Sequence, residues 1–162
     1  MTIKQAIEKG AIDLKVGNVD TPKMKARLLM QYVLNQTRQY IIVHDMKVLN
    51  EKEKNEYFSC INKLRTGIPI EHITHQKEFM KLNFFVNEEV LIPRQDTEIL
   101  VEEVIKIAKK INARKILDLC TGSGAIAVSL AKYLPQLEEI TALDISHDAI
   151  QIAKKNAIFH KL

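Results

Sequence analysis

The segment from Lys115 to Asp144 combines, in this order, an apolar run, a glycine-rich turn, a helical stretch and a second apolar run. The first run, residues 116–120, reads ILDLC and predicts a buried strand. In the turn that follows, Gly122 and Gly124 can adopt dihedral angles that other residues avoid and let a ligand approach the main chain. The order strand, turn, helix, strand predicts an α/β fold built on a parallel sheet.

Two acidic residues in this segment predict a nucleoside site. Asp144 ends the second strand, residues 140–143, at a place where a carboxylate can accept both hydroxyls of a ribose. The first amides of the helix after the turn have no partner within the helix and can donate to a ligand. Asp118 lies inside an otherwise apolar strand, so we expect it to face a ligand that carries a cation, such as the ammonium of S-adenosyl-L-methionine.

The glycine pattern also leaves a second class of ligand open. Gly122, Gly124 and Ala127 satisfy the G-x-G-x-x-A pattern of dinucleotide-binding proteins, so a nicotinamide or flavin cofactor remains an alternative. Cys120 stands where many such turns have glycine, and we interpret it as a small packing residue rather than a reactive thiol. Arg94 is either a surface charge or a residue that lies over the ligand crevice.

The whole chain divides into three parts by its residue pattern. Residues 1–66 carry apolar side chains at helical spacing, which predicts an all-α helical bundle. Residues 67–93 alternate loosely between apolar and polar, which predicts a linker of short strands that form a β-hairpin, with its turn near Asn87. Residues 94–162 begin with a helix and contain the glycine-turn segment, so they form the α/β part.

Local signals predict where three helices begin. Asn50 and Glu53 have the spacing of a capping pair, and Ser146 can cap the last helix. Pro22 favours the first position of another helix, which Asp20 or Thr21 can cap.

Composition excludes several classes of function. The net charge of +4 is mild, and the sequence has no Lys/Arg run with interleaved aromatic residues, so we expect no direct contact with nucleic acid. Cys60 and Cys120 are too isolated to suggest a disulfide framework or a zinc site. His72 and His75 are expected on opposite faces of a strand, so we expect no metal site. No apolar run approaches the roughly 18 residues of a membrane span, and no signal peptide is visible at the N-terminus, which predicts a cytoplasmic protein.

Taken together, the linker and the glycine turn resemble the PrmC/HemK family, the glutamine methyltransferases that modify peptide chain release factors. The linker reads IPRQDTE from Ile92 to Glu98 and is similar to the family segment I-P-R-x-D/E-T-E. The run ILDLCTGSGAIAVSLA resembles the S-adenosylmethionine loop of the family, and Asp144 matches its acid after the second strand.

This resemblance implies a Rossmann-like α/β methyltransferase domain, of which residues 94–162 supply only the first two strands. It implies S-adenosyl-L-methionine as the cofactor, with Asp144 holding the ribose hydroxyls. The residues implied to wrap the methionine part are Cys120, Thr121, Gly122, Ser123 and Gly124. It also implies a class I peptide chain release factor as partner, with the glutamine amide of its Gly-Gly-Gln loop as substrate and residues 1–66 as the docking domain.

One part of the family pattern is absent from this sequence. Family members carry Asn-Pro-Pro-Tyr, which positions the glutamine amide, and none of the four prolines lies in such a motif. We therefore expect a fragment of a longer enzyme that is inactive alone, with no catalytic residues of its own and with an exposed sheet edge through which it can self-associate. Two alternatives remain: a fragment of an adenine-N6-type nucleic-acid methyltransferase, and a non-catalytic module that binds a nucleoside and docks a partner.

Overall fold

The computed structural model describes residues 1–162 and separates them into two units, residues 1–74 and residues 75–162. The first unit is helical, as its apolar spacing predicts. Its helices are α1 (Ile3–Val16), α2 (Pro22–Leu34), α3 (Arg38–Val43), α4 (Glu51–Arg65) and α5 (Ile70–Thr74).

Local signals in the sequence mark where α4 and α2 begin. The Asn50 side chain accepts from the Glu53 amide at 2.8 Å and the Glu53 carboxylate accepts from the Asn50 amide at 2.8 Å, so the predicted capping pair of α4 is confirmed. Pro22 is the first residue of α2, also as predicted. The expected cap of α2 is wrong, because Thr21 has φ +45° and makes no capping hydrogen bond, while the Asp20 carboxylate pairs with Lys25 instead.

A glycine sets the close approach of α1 to α4. Tyr57 on α4 is fully buried, and its hydroxyl donates to the carbonyl of Ala26 on α2 at 3.2 Å. A Cβ added at Gly10 would lie 2.5 Å from the Tyr57 hydroxyl oxygen and 2.9 Å from the Cδ1 of Ile61. Because the Tyr57 hydroxyl is both buried and hydrogen-bonded, it cannot move away without losing that bond.

We therefore predict that Gly10→Ala destabilises the chain, although alanine is the better helix former by about 0.5–1 kcal/mol. Overpacking a tight core costs about 1–3 kcal/mol, so the net loss should be about 1–2 kcal/mol, measured by thermal unfolding followed by circular dichroism. Gly17→Ala is the comparison variant: its Cβ would lie 2.5 Å from the Cγ of Arg65, but that side chain is exposed and can change its χ1 rotamer, so the loss should be smaller than for Gly10→Ala. A Gly10→Ala variant as stable as the unaltered chain would contradict this packing.

The second unit combines a hairpin, a short parallel sheet and three helices. Its elements are β1 (Gln76–Phe79), β2 (Leu82–Phe85), α6 (Gln95–Lys110), β3 (Lys115–Leu119), α7 (Ala125–Tyr133), β4 (Glu139–Leu143) and α8 (His147–Phe159). Strands β1 and β2 pair antiparallel, whereas β3 and β4 pair parallel with Lys115 opposite Glu139. The predicted fold class is confirmed: a helical N-terminal region and a hairpin precede an α/β unit that has two parallel strands.

Two details of the predicted linker are wrong. Residues 70–74 form α5 rather than a strand, because the amides of His72 and Ile73 bond back to the carbonyl of Pro69 and start a helical turn. His72 and His75 therefore do not lie on one strand, contrary to the expectation from the sequence, because His72 is in α5 and His75 precedes β1. The hairpin turn lies at Met80 and Lys81, with φ of +51° and +59°, and not near Asn87.

The hairpin turn is fixed by residues of two helices. The Met80 amide donates to the Glu98 carboxylate of α6 at 2.6 Å, and the Tyr133 hydroxyl of α7 donates to the Met80 carbonyl at 2.7 Å. Phe79 and Phe84 of the hairpin are buried in the same cluster as residues of α6 and α7. The hairpin is thus a packed part of the second unit, and Glu98 of the IPRQDTE segment anchors it.

The parallel sheet is covered on one face only. Ile116 and Ile140 are half-buried and pack in the cluster with the helices, whereas Leu117, Leu119 and Leu143 alternate with them and are 56%, 64% and 50% exposed. Self-association through this sheet stays a prediction. None of the helices is both long enough and apolar enough to cross a membrane.

Candidate functional site

The carboxyl ends of β3 and β4 meet at one edge of the sheet because the two strands are parallel. The turn of residues 120–124 follows β3, and Asp144 follows β4. The Thr121 amide donates to the Leu143 carbonyl at 2.9 Å and extends the strand pairing into the turn. The structure thus brings the predicted turn and the predicted acid into direct contact.

Both oxygens of Asp144 accept backbone hydrogen bonds. Its Oδ1 accepts from the Ser146 amide at 2.9 Å, and its Oδ2 accepts from the Gly122 amide at 2.8 Å. These bonds, that of Ser146 first, lower the pKa of Asp144 below the ordinary carboxyl value, against the opposing effect of burial. The stability that they contribute is present above the ordinary pKa and is lost as the pH falls through the lowered pKa. Each oxygen keeps a lone pair for a ligand hydroxyl.

Asp118 is buried, with 8% of its surface exposed, and shares the helix-covered face of the sheet with its partner Ala142 on β4. The buried Thr121 hydroxyl donates to its Oδ2 at 2.7 Å. This bond satisfies one oxygen of a carboxylate that would otherwise be costly to bury, and it ties the end of β3 to the turn.

The two glycines of the turn are required for different reasons. Gly122 has φ +54°, and a Cβ added there would meet nothing within 4 Å, so this side of the turn is open. Gly124 has φ +78°, and an added Cβ would lie 3.1 Å from the Cα of Ala153 on α8. One glycine leaves room for a ligand, and the other leaves room for the helix that supports the turn.

Sequence reasoning missed two residues of this site. Asn156 on α8 is only 1% exposed and donates from Nδ2 to the Ser123 carbonyl at 2.8 Å, so it holds the turn at Ser123. Its only sequence signal is an amide placed in an otherwise apolar stripe beside Ala153 and Ala157. Ile145 follows Asp144 and is fully exposed, which is unusual for a large apolar side chain at a strand end.

The structure does not bring every predicted residue together. Arg94 is exposed and precedes α6, and its side chain makes neither a capping hydrogen bond nor an ion pair. Cys120 is exposed and has φ +62°, a left-handed conformation that explains why glycine suits this position. No group of three or more His, Cys, Asp and Glu side chains is placed to hold a metal ion.

The fold places the glycine turn and Asp144 at one edge of a parallel α/β sheet, and comparison with known proteins gives the class of this unit. Residues 94–162 match the family model of the methyltransferase small domain, a class that generally uses S-adenosylmethionine. Residues 5–74 match the PrmC N-terminal domain. The chain therefore carries a PrmC N-terminal domain followed by a methyltransferase small domain.

Curated relatives agree with the two domain matches. The chain is 42% identical over 156 residues to a release factor glutamine methyltransferase of Clostridium acetobutylicum, covering 96% of the chain and 54% of that protein. It is 38% identical over 157 residues to a protein of the same name from Koribacter versatilis, covering 97% of the chain and 56% of that protein. A bifunctional methyltransferase of Rickettsia bellii is 35% identical over 98% of the chain and 33% of its own length. The chain therefore spans about half the length of the release factor glutamine methyltransferases that it matches.

The left-handed backbone at Cys120 leads to a stability prediction. Cys120→Gly removes a conformational cost of about 1–2 kcal/mol and adds an entropic cost of about 0.5–1 kcal/mol, so it should leave stability unchanged or raise it by up to about 1.5 kcal/mol. Cys120→Val places a β-branched residue in the same conformation and should destabilise. Urea unfolding of both variants measures the difference, and a Cys120→Gly variant less stable than Cys120→Val would contradict the prediction.

Proposed function

We propose that this chain is the docking and cofactor-binding part of an enzyme that methylates release factors. The enzyme would transfer a methyl group from S-adenosyl-L-methionine to the side-chain amide of the glutamine in the Gly-Gly-Gln loop of class I peptide chain release factors. The observation that carries the proposal is the contact between the glycine turn after β3 and Asp144 after β4. The names of the curated relatives support the substrate, and such a substrate would place the reaction in the cytoplasm.

The residues of the site fit this cofactor. The open side of Gly122 gives the methionine part access to the main chain, and the free lone pairs of Asp144 can accept the two ribose hydroxyls. The Asp118 oxygen that Thr121 does not engage supplies a negative charge for the ammonium group. The exposed side chain of Ile145 offers an apolar surface beside Asp144 that the adenine can cover. When bound, the cofactor supplies an activated methyl group.

We further propose that residues 1–162 do not catalyse on their own. A glutamine amide is a poor nucleophile, so its methylation depends on side chains that accept its protons and aim its nitrogen. The family motif for that task is Asn-Pro-Pro-Tyr, and the prolines of this sequence, at positions 22, 69, 93 and 135, do not form it. Incubation with labelled cofactor and a class I release factor should give no labelled protein, and labelling of the glutamine would overturn this proposal.

The variant Asp144→Asn tests whether Asp144 binds the cofactor. Asp144→Asn removes the charge and one acceptor, so we predict that the affinity for S-adenosylmethionine, measured by isothermal titration calorimetry, falls by about tenfold or more. Because the pKa of Asp144 is lowered, the affinity should not fall with pH until the pH drops below the ordinary carboxyl value.

The matched control for this variant is Asp148→Asn. Asp148 lies exposed in the first turn of α8, and the substitution removes the same charge close to the site without touching the turn. Its affinity should equal that of the unaltered chain. Tight binding of NAD with no binding of S-adenosylmethionine would contradict the cofactor assignment and favour the dinucleotide alternative.

We propose that the helical unit docks the release factor through an acidic surface of that protein. Residues 1–74 contain twelve Lys and Arg against eight Asp and Glu, whereas residues 75–162 contain twelve of each, so the net charge of the chain resides in the helical unit. A groove of about 210 Å³ in this unit has apolar walls from three isoleucines. Its charged lining residues are three cations and two carboxylates, namely Lys4, Lys23, Arg27, Glu8 and Asp45. Apolar side chains beside an excess of cations suit an acidic protein surface.

Charge reversal tests this docking surface. Lys23→Glu together with Arg27→Glu should weaken binding to a purified class I release factor by about tenfold at low salt, with a smaller effect at high salt. Lys52→Glu together with Lys63→Glu is the control with the same change of net charge, because both lysines are exposed on α4 and do not line the groove. Equal weakening by the control would show that net charge, and not the groove, governs binding.

A further inference from the structure

We propose that Asn156 is a positioning residue that couples the β-hairpin to the cofactor turn. The proposal rests on the function above, because it takes the turn of residues 120–124 as the part that holds the cofactor. Asn156 is buried on α8, and its side chain joins two other elements, the hairpin and the turn.

The side-chain amide of Asn156 binds the hairpin as a neighbouring strand would. Its Oδ1 accepts from the Phe85 amide at 2.7 Å, and its Nδ2 donates to the Phe85 carbonyl at 3.0 Å. Phe85 is the last residue of β2, and both its amide and its carbonyl are therefore hydrogen-bonded to one side chain. That side chain lies 71 positions further along the chain. This arrangement fixes the end of the hairpin against α8.

The same amide also holds the glycine turn. Nδ2 donates to the Ser123 carbonyl at 2.8 Å, so both donors and the acceptor of Asn156 are in use. The Gly122 amide points instead to Asp144, and the Gly124 amide bonds to the Thr121 carbonyl at 2.9 Å. The turn is thus held between Asp144, which follows β4, and the side-chain amide of Asn156 on α8, which supplies both donors and the acceptor.

Lys155 of α8 and His160, which follows α8, contact the hairpin, and neither makes a hydrogen bond to the turn. The Lys155 ammonium lies 3.1 Å from the centroid of the Phe85 ring, and the His160 Nε2 lies 2.8 Å from the Asn83 carbonyl. Asn156 is the one residue of α8 whose side chain bonds to both elements. A change at the hairpin should therefore reach the turn through Asn156.

The main test compares Asn156→Ala with Lys155→Ala, which loses a hairpin contact of the neighbouring residue but none with the turn. Amide hydrogen exchange in the ligand-free chain should accelerate at Gly122 and Gly124 by about tenfold or more in Asn156→Ala and remain unchanged in Lys155→Ala. The affinity for S-adenosylmethionine should fall by about tenfold in Asn156→Ala and by less than about threefold in Lys155→Ala. Unchanged exchange at both glycines would overturn the proposal.

A second variant tests the coupling from the far end of the hairpin. Glu98→Ala releases the Met80 amide at the hairpin turn, so exchange at Gly122 and Gly124 should accelerate although Glu98 touches neither residue. In the Asn156→Ala background the same change should have no further effect, because the connection is already broken. Additive effects of the two variants would overturn the coupling.

These measurements separate this proposal from the proposed function. If the unaltered chain binds no S-adenosylmethionine, the cofactor assignment fails, while the exchange rates of the ligand-free chain still decide the role of Asn156. If Asn156→Ala does not fold, Glu98→Ala in the otherwise unaltered chain decides: unchanged exchange at the two glycines overturns the coupling.

Discussion

The hydrogen bonds that Asp144 accepts from Gly122 and Ser146 are the constraint on which the rest of the site depends. A two-stranded parallel sheet brings the ends of β3 and β4 together, but it does not by itself shape the turn between β3 and α7. Asp144 does so by accepting a hydrogen bond from the Gly122 amide. The carboxylate proposed to bind the ribose therefore also organises the backbone proposed to bind the methionine part.

Helix α8 also supports the turn. Gly124 packs against Ala153, and Asn156 holds the Ser123 carbonyl, so α8 limits the turn on the side opposite the ligand space. Through Phe85, the same asparagine reaches the hairpin, whose other end is anchored by Glu98 and Tyr133. The second unit thus forms a continuous network from the hairpin to the cofactor turn, although one face of its sheet still exposes leucine side chains.

Local signals in the sequence predict most of the helices and strands. For the candidate site, they predict the glycine turn and Asp144 but not Asn156. The capping pair of α4, the first position of α2 and the strand, turn, helix, strand order all depend on residues close together in the chain, and each is confirmed. The hairpin turn at Met80 and Lys81 was missed because neither residue favours positive φ, and side chains distant in sequence hold it in place. Asn156 was missed for the same reason, since its partners lie 33 and 71 positions away.

The most direct test of the account is an NMR titration of the isotope-labelled chain with S-adenosylmethionine, which reports on each backbone amide separately. We predict saturable chemical-shift changes at the amides of Gly122, Gly124 and Ile145, and no changes in the helical unit of residues 1–74. Saturable shifts confined to residues 1–74, or no shifts at millimolar cofactor, would contradict the claim that the turn after β3 and the acid after β4 form the cofactor site.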